Sequence, residues 1–96
     1  MHLLKIEKRF KKDIGRDKKS GKYSNLDFDI LKNIIDSLLN DEPIDSLYKK
    51  HSLVGNLKLY ESIHLKNDWV LIFKLDDERL YLVMLGSHSQ VYKKIF

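Results

Sequence analysis

The chain has 96 residues, a formal net charge of +4 and no cysteine, and it is 43% hydrophobic and 33% charged. This composition fits one globular domain, 1–96, and excludes disulfide bridges and thiolate metal sites. No apolar run reaches the roughly 18 residues that span a membrane, and the N-terminus lacks a signal-peptide pattern. We therefore expect a cytoplasmic protein with no membrane partner.

The N-terminal part of the chain predicts a short strand followed by two helices. Weak alternation predicts a strand over 2–7, and apolar residues four apart predict a helix over 10–19. A second helix is predicted over 24–40, with Ser24 as its N-cap and an end before Pro43.

Positive charge is concentrated at the N-terminal end. Residues 1–22 contain nine basic and three acidic residues, whereas the remaining chain carries a net charge of −2. The basic residues, among them Lys11 and Lys12, form a cationic patch that could contact the phosphates of a nucleic acid. The same pattern also fits a helix face that is simply solvated, and the sequence leaves both interpretations open.

The C-terminal half predicts a loop followed by a meander of three strands. The loop covers 41–56, and the strands cover 57–65, 69–75 and 79–85. The middle strand is apolar enough to be central in the sheet, because strands that are covered on both faces lack polar alternation. The turns fall at 66–68 and 76–78.

This meander predicts that distant histidines meet. His64, Asp68 and His88 all arrive at one end of an antiparallel sheet of this order. A strand over 57–65 spans about 30 Å at roughly 3.3 Å per residue, so His51 joins them only if the preceding loop folds back. Imidazoles and carboxylates are suited to proton transfer near neutral pH.

The histidines and two aromatic residues also fit other kinds of site. Three histidines suggest a zinc site, but their spacing matches no known zinc signature, and we predict no metal. Trp69 and Tyr92 are candidates for stacking on nucleobases. Trp69 is equally suited to the core, since it begins the apolar strand.

Four blocks of residues resemble the YafQ branch of the RelE-type toxins, and together with the N-terminal elements they cover nearly the whole chain. The blocks are YKKHxLxG at 48–55, YxxxH at 60–64, DWVLIFK at 68–74 and GSHS at 86–89. The resemblance implies an α+β RelE-like fold, with two N-terminal helices packed on a small twisted, mainly antiparallel sheet.

The resemblance also implies the toxin half of a type II toxin–antitoxin pair. Such a toxin is an endoribonuclease that cuts mRNA in the ribosomal A site by attack of the ribose 2′-OH, leaving a 2′,3′-cyclic phosphate. It needs no cofactor. The implied partners are the mRNA on the ribosome and an acidic antitoxin, through which the pair contacts operator DNA.

Active-site positions of the family match His51, His64, Asp68 and His88. We hypothesise that His88 is the general acid, that Asp68 or His51 is the base, and that His64 supports the phosphate. Four further residues are candidate substrate contacts: Tyr92, Trp69, Lys11 and Lys12.

The chain departs from the family pattern at three positions. Glu61 and Ser62 stand where the family usually has arginine and an acidic residue, and Asn67 replaces a proline. These changes leave open a second function, a catalytically weakened homologue that acts as an antitoxin-binding or co-repressor module. A general RNA-binding domain is a third interpretation.

Overall fold

The computed structural model describes the backbone of residues 1–95 and their side chains, except those of Asn56, Lys94 and Ile95. Its strands are β1 (Leu3–Ile6), β2 (His51–Ser52), β3 (Tyr60–Lys66), β4 (Trp69–Leu75) and β5 (Arg79–Gly86). Its α-helices are α1 (Lys8–Ser20), α2 (Asn25–Leu39) and α3 (His88–Ile95), and two 3₁₀ turns cover Ser46–Tyr48 and Gly55–Leu57.

The strands form one five-stranded sheet in the order β1-β5-β4-β3-β2. β1 pairs with β5 in parallel, and every other neighbouring pair is antiparallel. The sheet is therefore mixed and mainly antiparallel, and the expected α+β fold class is confirmed. Over the described part of the chain, no helix combines the length and apolarity needed to cross a bilayer.

The N-terminus of α2 is fixed by its own sequence. Ser24 Oγ accepts a hydrogen bond from the Asp27 backbone at 3.2 Å, and Asp27 Oδ2 accepts one from the Ser24 backbone at 2.8 Å. This reciprocal capping box satisfies two amides that a helix start leaves unpaired. The predicted N-cap at Ser24 is confirmed.

Each face of the sheet has its own apolar core, because neighbouring residues of a strand point to opposite faces. On one face Trp69, Leu71 and Phe73 of β4 pack against α2 residues such as Leu31 and Leu38. On the other face Val70 and Ile72 pack against Leu53 and against Val91 of α3. Residues 69–73 are thus buried on both faces, as predicted for a central strand.

Helix α1 closes the part of the β5 edge that β1 leaves open. β1 pairs only with residues 79–82 of β5. Farther along, the Leu85 amide donates to Asp13 Oδ2 at 3.0 Å, and the Leu85 carbonyl accepts from Arg16 Nη2 at 2.7 Å. Side chains of α1 thereby satisfy an edge residue that no strand covers.

Two buried carboxylates of α1 are fully paired. Asp13 is 2% exposed and Asp17 is 4% exposed. Arg16 donates to Asp13 at 3.0 Å and to Asp17 at 2.9 Å, and the indole of Trp69 donates to Asp17 Oδ2 at 2.9 Å. The hydrogen bond to Asp17 is the main cause of a raised Arg16 pKa. These bonds offset the cost of burying charge.

Two expectations from the sequence were wrong in this region. The third strand begins at Tyr60 rather than at residue 57, because Gly55–Leu57 forms a 3₁₀ turn, and β2 lies inside the predicted loop 41–56. Trp69 is 0% exposed and stacks on Tyr23 with ring centroids 4.1 Å apart. Its ring is therefore part of the core, which confirms the second interpretation of this residue, and its candidate role in stacking on a nucleobase is wrong.

The paired carboxylates generate a prediction for stability. Asp17→Ala leaves the buried Trp69 N–H without its acceptor and removes one of the two carboxylates that pair with Arg16, so the free energy of unfolding should fall by about 1–3 kcal/mol. Asp29→Ala removes an exposed carboxylate of α2 and should change it by less than about 0.5 kcal/mol. Urea unfolding of both variants checks this, and equal effects would show that the buried network does not stabilise the fold.

Candidate active site

His51 is brought to the sheet by the short strand β2. β2 runs antiparallel to β3 and places His51 opposite Ser62. His51 Nδ1 lies 2.8 Å from the Lys49 carbonyl, and Nε2 lies 3.2 Å from Oγ of the buried Ser62. A carbonyl can only accept, so Nδ1 carries the hydrogen and Nε2 of the neutral ring accepts from Ser62. The sequence predicted that His51 joins the other histidines only if the loop before β3 folds back, and in the structure this loop does fold back.

His64 of β3 is the central ring of the group. Its centroid lies 5.7 Å from that of His51 and 4.9 Å from that of His88. Nε2 of His64 is buried and has no hydrogen-bond partner among the described residues. Burial, followed by the charges of His88, His51 and Lys49, lowers the pKa of His64 below 6.5. His64 is therefore a neutral imidazole at pH 7.

His88 is held by Asp68 from the turn between β3 and β4. Asp68 Oδ1 accepts hydrogen bonds from the His88 backbone at 2.8 Å and from His88 Nδ1 at 2.7 Å. These bonds, the backbone bond first, lower the pKa of Asp68. The carboxylate therefore stays ionised and fixes the ring with Nδ1 as donor. The predicted convergence of His64, Asp68 and His88 at one sheet end is confirmed.

The start of α3 fixes where His88 lies. The Ser87 amide donates to Gln90 Oε1 at 2.9 Å, and Ser87 Oγ accepts from the Gln90 amide at 3.2 Å. A Cβ on Gly86 would lie 2.8 Å from both Arg16 Nη2 and Gln90 Oε1, so a side chain here would have to displace two hydrogen-bonded groups. The sequence interpretation missed α3, although the Ser-x-x-Gln spacing of a capping box was visible.

The remaining candidate contacts lie at different distances from this group. The half-exposed ring of Tyr92 has its centroid 5.7 Å from that of His88, so it borders the histidines. Lys11 and Lys12 are exposed on α1, and no hydrogen bond or ion pair within the described residues joins them to the histidines. Their predicted contact with substrate stays a prediction.

The described side chains offer acid and base groups at one surface. The His88 side chain is 40% exposed and that of Asp68 is 67% exposed, so the group opens to solvent. Within residues 1–95 as described, no set of three or more histidine, aspartate or glutamate side chains is arranged to hold a metal ion. Neighbouring imidazoles with unequal tendencies to hold a proton suit a reaction that needs one base and one acid.

Known proteins are similar to this chain in sequence and in fold. Residues 2–93 match the family model described as "Bacterial toxin of type II toxin-antitoxin system, YafQ". The mRNA interferase toxin YafQ of Escherichia coli K12 is 33% identical over 79 residues, which cover 81% of this chain and 86% of that protein.

Solved structures agree over nearly the whole chain. A crystal structure of the E. coli DinJ–YafQ complex superposes with a TM-score of 0.85 at 30% identity, covering 96% of this chain and 99% of that one. A structure described as a copper-bound mutant toxin from Helicobacter pylori has a TM-score of 0.85 at 32% identity, covering 95% and 99%.

The lowered pKa of His64 generates a prediction for pH dependence. Unfolding restores the ordinary value of 6.5, so between the two values the unfolded state binds more protons and stability falls as pH falls. His64→Gln should flatten the loss of unfolding free energy that the wild type shows as the pH falls through 6.5.

NMR titration of the imidazole C–H signals gives the direct measurement. The His64 midpoint should lie below 6.5, and Lys49→Gln should raise it because a positive charge is removed. A His64 midpoint at or above 6.5 would contradict the interpretation of this ring as neutral.

Proposed function

Because the chain belongs to the YafQ family of toxins from bacterial type II toxin–antitoxin systems, we propose that it is an endoribonuclease that cuts mRNA. The observation that carries the proposal is the arrangement of His51, His64 and His88 in ring contact, with Asp68 holding His88. The E. coli relative is named an mRNA interferase, and this site has the groups that such a reaction needs.

The reaction begins with the ribose 2′-OH attacking the adjacent phosphorus. A base takes the proton of the 2′-OH, the bond from phosphorus to the 5′-oxygen breaks, and an acid protonates that oxygen. The products are a 2′,3′-cyclic phosphate and a free 5′-OH. Each proton transfer by a positioned side chain typically contributes 10²–10⁴-fold to the rate.

His88 is the general acid in this proposal. Its Nδ1 donates to Asp68 at 2.7 Å, so Nε2 is the nitrogen that gives its proton to the leaving oxygen. The ionised carboxylate lies beside the imidazolium that an acid must be. Asp68 itself is a poor base, because one oxygen already accepts two bonds from His88 and the pKa is lowered. We assign it the role of a positioning residue.

His51 is the base in this proposal. Its ring is exposed, Nδ1 is held by the Lys49 carbonyl, and Nε2 carries the lone pair that would take the proton. The contact from Ser62 at 3.2 Å is long for an O–H donor, and the substrate hydroxyl can replace it. His64, being neutral at pH 7, supports the phosphate by hydrogen bonding and not by charge.

The same site supports the two partners expected from the resemblance. We propose that mRNA enters it on the ribosome, in the A site, and that an antitoxin blocks it and links the pair to operator DNA. One solved relative is the DinJ–YafQ complex, which is an assembly of toxin and antitoxin. The open surface around His88 and Tyr92 is accessible to either partner.

Glu61 favours a second candidate function. Glu61 lies on β3, the strand that carries His64, and its carboxylate lies 3.7 Å from Lys50 Nζ. An arginine at this position would instead add positive charge for the phosphate. A catalytically weakened toxin that only binds its antitoxin fits that change. Intact mRNA together with tight binding of the antitoxin encoded beside the gene would support this second function.

His88→Ala generates the test of the first function. On ribosomes programmed with a defined mRNA, the wild-type protein should produce cuts with cyclic phosphate ends, and His88→Ala should cut about 10²–10⁴-fold more slowly. His2→Gln is the matched control, because His2 immediately precedes β1, which lies at the edge of the sheet opposite β2, and pairs with Asp41 at 2.7 Å. Its rate should equal that of the wild type.

Expression in a bacterium gives the second measurement. The wild-type protein should stop growth, and His88→Ala should restore it while unfolding at the same urea concentration as the wild type. Equal cleavage by the wild type and His88→Ala would contradict the assignment of His88 as the acid.

A further inference from the structure

A cleft of about 300 Å³ has His64 in its lining. Its walls come from the 3₁₀ turn Ser46–Tyr48 and from the β3–β4 turn, and its lining includes Leu47, Tyr48, Lys49, His64 and Asn67. This volume lies in the range of small-molecule sites. Because His64 forms one wall, whatever fills the cleft lies directly next to the reacting groups.

We propose that this cleft binds the nucleotide of the mRNA that flanks the cut bond, with Lys49 on a phosphate and the amide of Asn67 on the base edge. The inference rests on the proposed function and extends it to substrate recognition.

Lys49 provides an uncompensated positive charge in the cleft. Its backbone has φ 48°, a left-handed conformation, and its carbonyl holds His51. Within the described residues its ammonium forms no ion pair, whereas Lys66 on the opposite wall is paired with Asp27 at 3.1 Å. The Lys49 charge also acts on His64. An anion beside His64 would therefore be attracted to Lys49, as phosphates are to unpaired lysines.

Asn67 provides a group that can distinguish bases. It lies at the exposed turn between β3 and β4, and its amide makes no hydrogen bond within the described part of the chain. A carboxamide offers one acceptor and two donors, and can bind a base edge through two hydrogen bonds. Unstacked bases of single-stranded RNA are recognised in this way, between apolar or aromatic walls such as those of Leu47 and Tyr48.

Cleavage-site mapping on programmed ribosomes tests the assignment. Asn67→Ala should reduce the base preference at one position beside the cut by at least about fivefold. Lys49→Gln should raise the KM for mRNA about tenfold and reduce its dependence on salt concentration. Asn33→Ala and Lys32→Gln, exposed residues of α2, are the matched controls and should leave both quantities unchanged.

Three outcomes overturn the inference or separate it from the proposed function. Unchanged base preference in Asn67→Ala, with active wild-type protein, overturns it. Unchanged KM with weakened antitoxin binding in Lys49→Gln also overturns it, and assigns the cleft to the protein partner. If the wild-type protein cuts nothing, NMR titration with a 2′-O-methyl RNA oligonucleotide decides. Shifts of the Asn67 and Lys49 amide signals then show that the cleft binds RNA although the protein is not a nuclease. Absent shifts overturn the inference.

Discussion

The hydrogen bonds that α1 makes to Leu85 connect the fold to the site. β1 is too short to cover β5, so Asp13 and Arg16 occupy the backbone groups that it leaves unpaired. The residue after Leu85 is Gly86, where a side chain would have to displace the Arg16 guanidinium and the Gln90 amide. His88 follows two residues later. The ion-paired Asp13 and Arg16 of α1 therefore help to determine where His88 lies at the surface.

The electrostatics of the site follow from the order of its three rings. The middle ring, His64, is partly buried and lies beside two other imidazoles and near the ammonium of Lys49, so it holds a proton less readily than an ordinary histidine. The outer rings have different anchors, a carbonyl and a hydroxyl for His51 and a carboxylate for His88. A neutral anchor leaves His51 free to accept a proton, and a charged anchor suits a ring that gives one away. The two proposed roles therefore match the two environments.

Connectivity made much of this site predictable from the sequence. The run WVLIFKL gave β4 with the bounds that the structure has, and a meander around it required His64, Asp68 and His88 to share one end. The pairing of His51 was not predictable, because β2 has only two residues and carries no periodic signal. The burial of Trp69 depends on Asp17, 52 residues earlier in the chain, and local pattern carries no information about such a partner.

The separation in sequence of the α1 contacts has a consequence for how the chain acquires its structure. The strands β3, β4 and β5 are consecutive and pair through short turns, which favours early formation. The bond from Leu85 to Asp13 joins residues 72 positions apart, and the pairing of Leu3 with Arg79 joins residues 76 positions apart, so these contacts close long loops and can form only after β5 has been synthesised. The position of His88, two residues after Gly86, therefore depends on a contact between distant parts of the chain. A nascent or truncated chain that lacks this closure should form the paired strands without an ordered arrangement of the histidines.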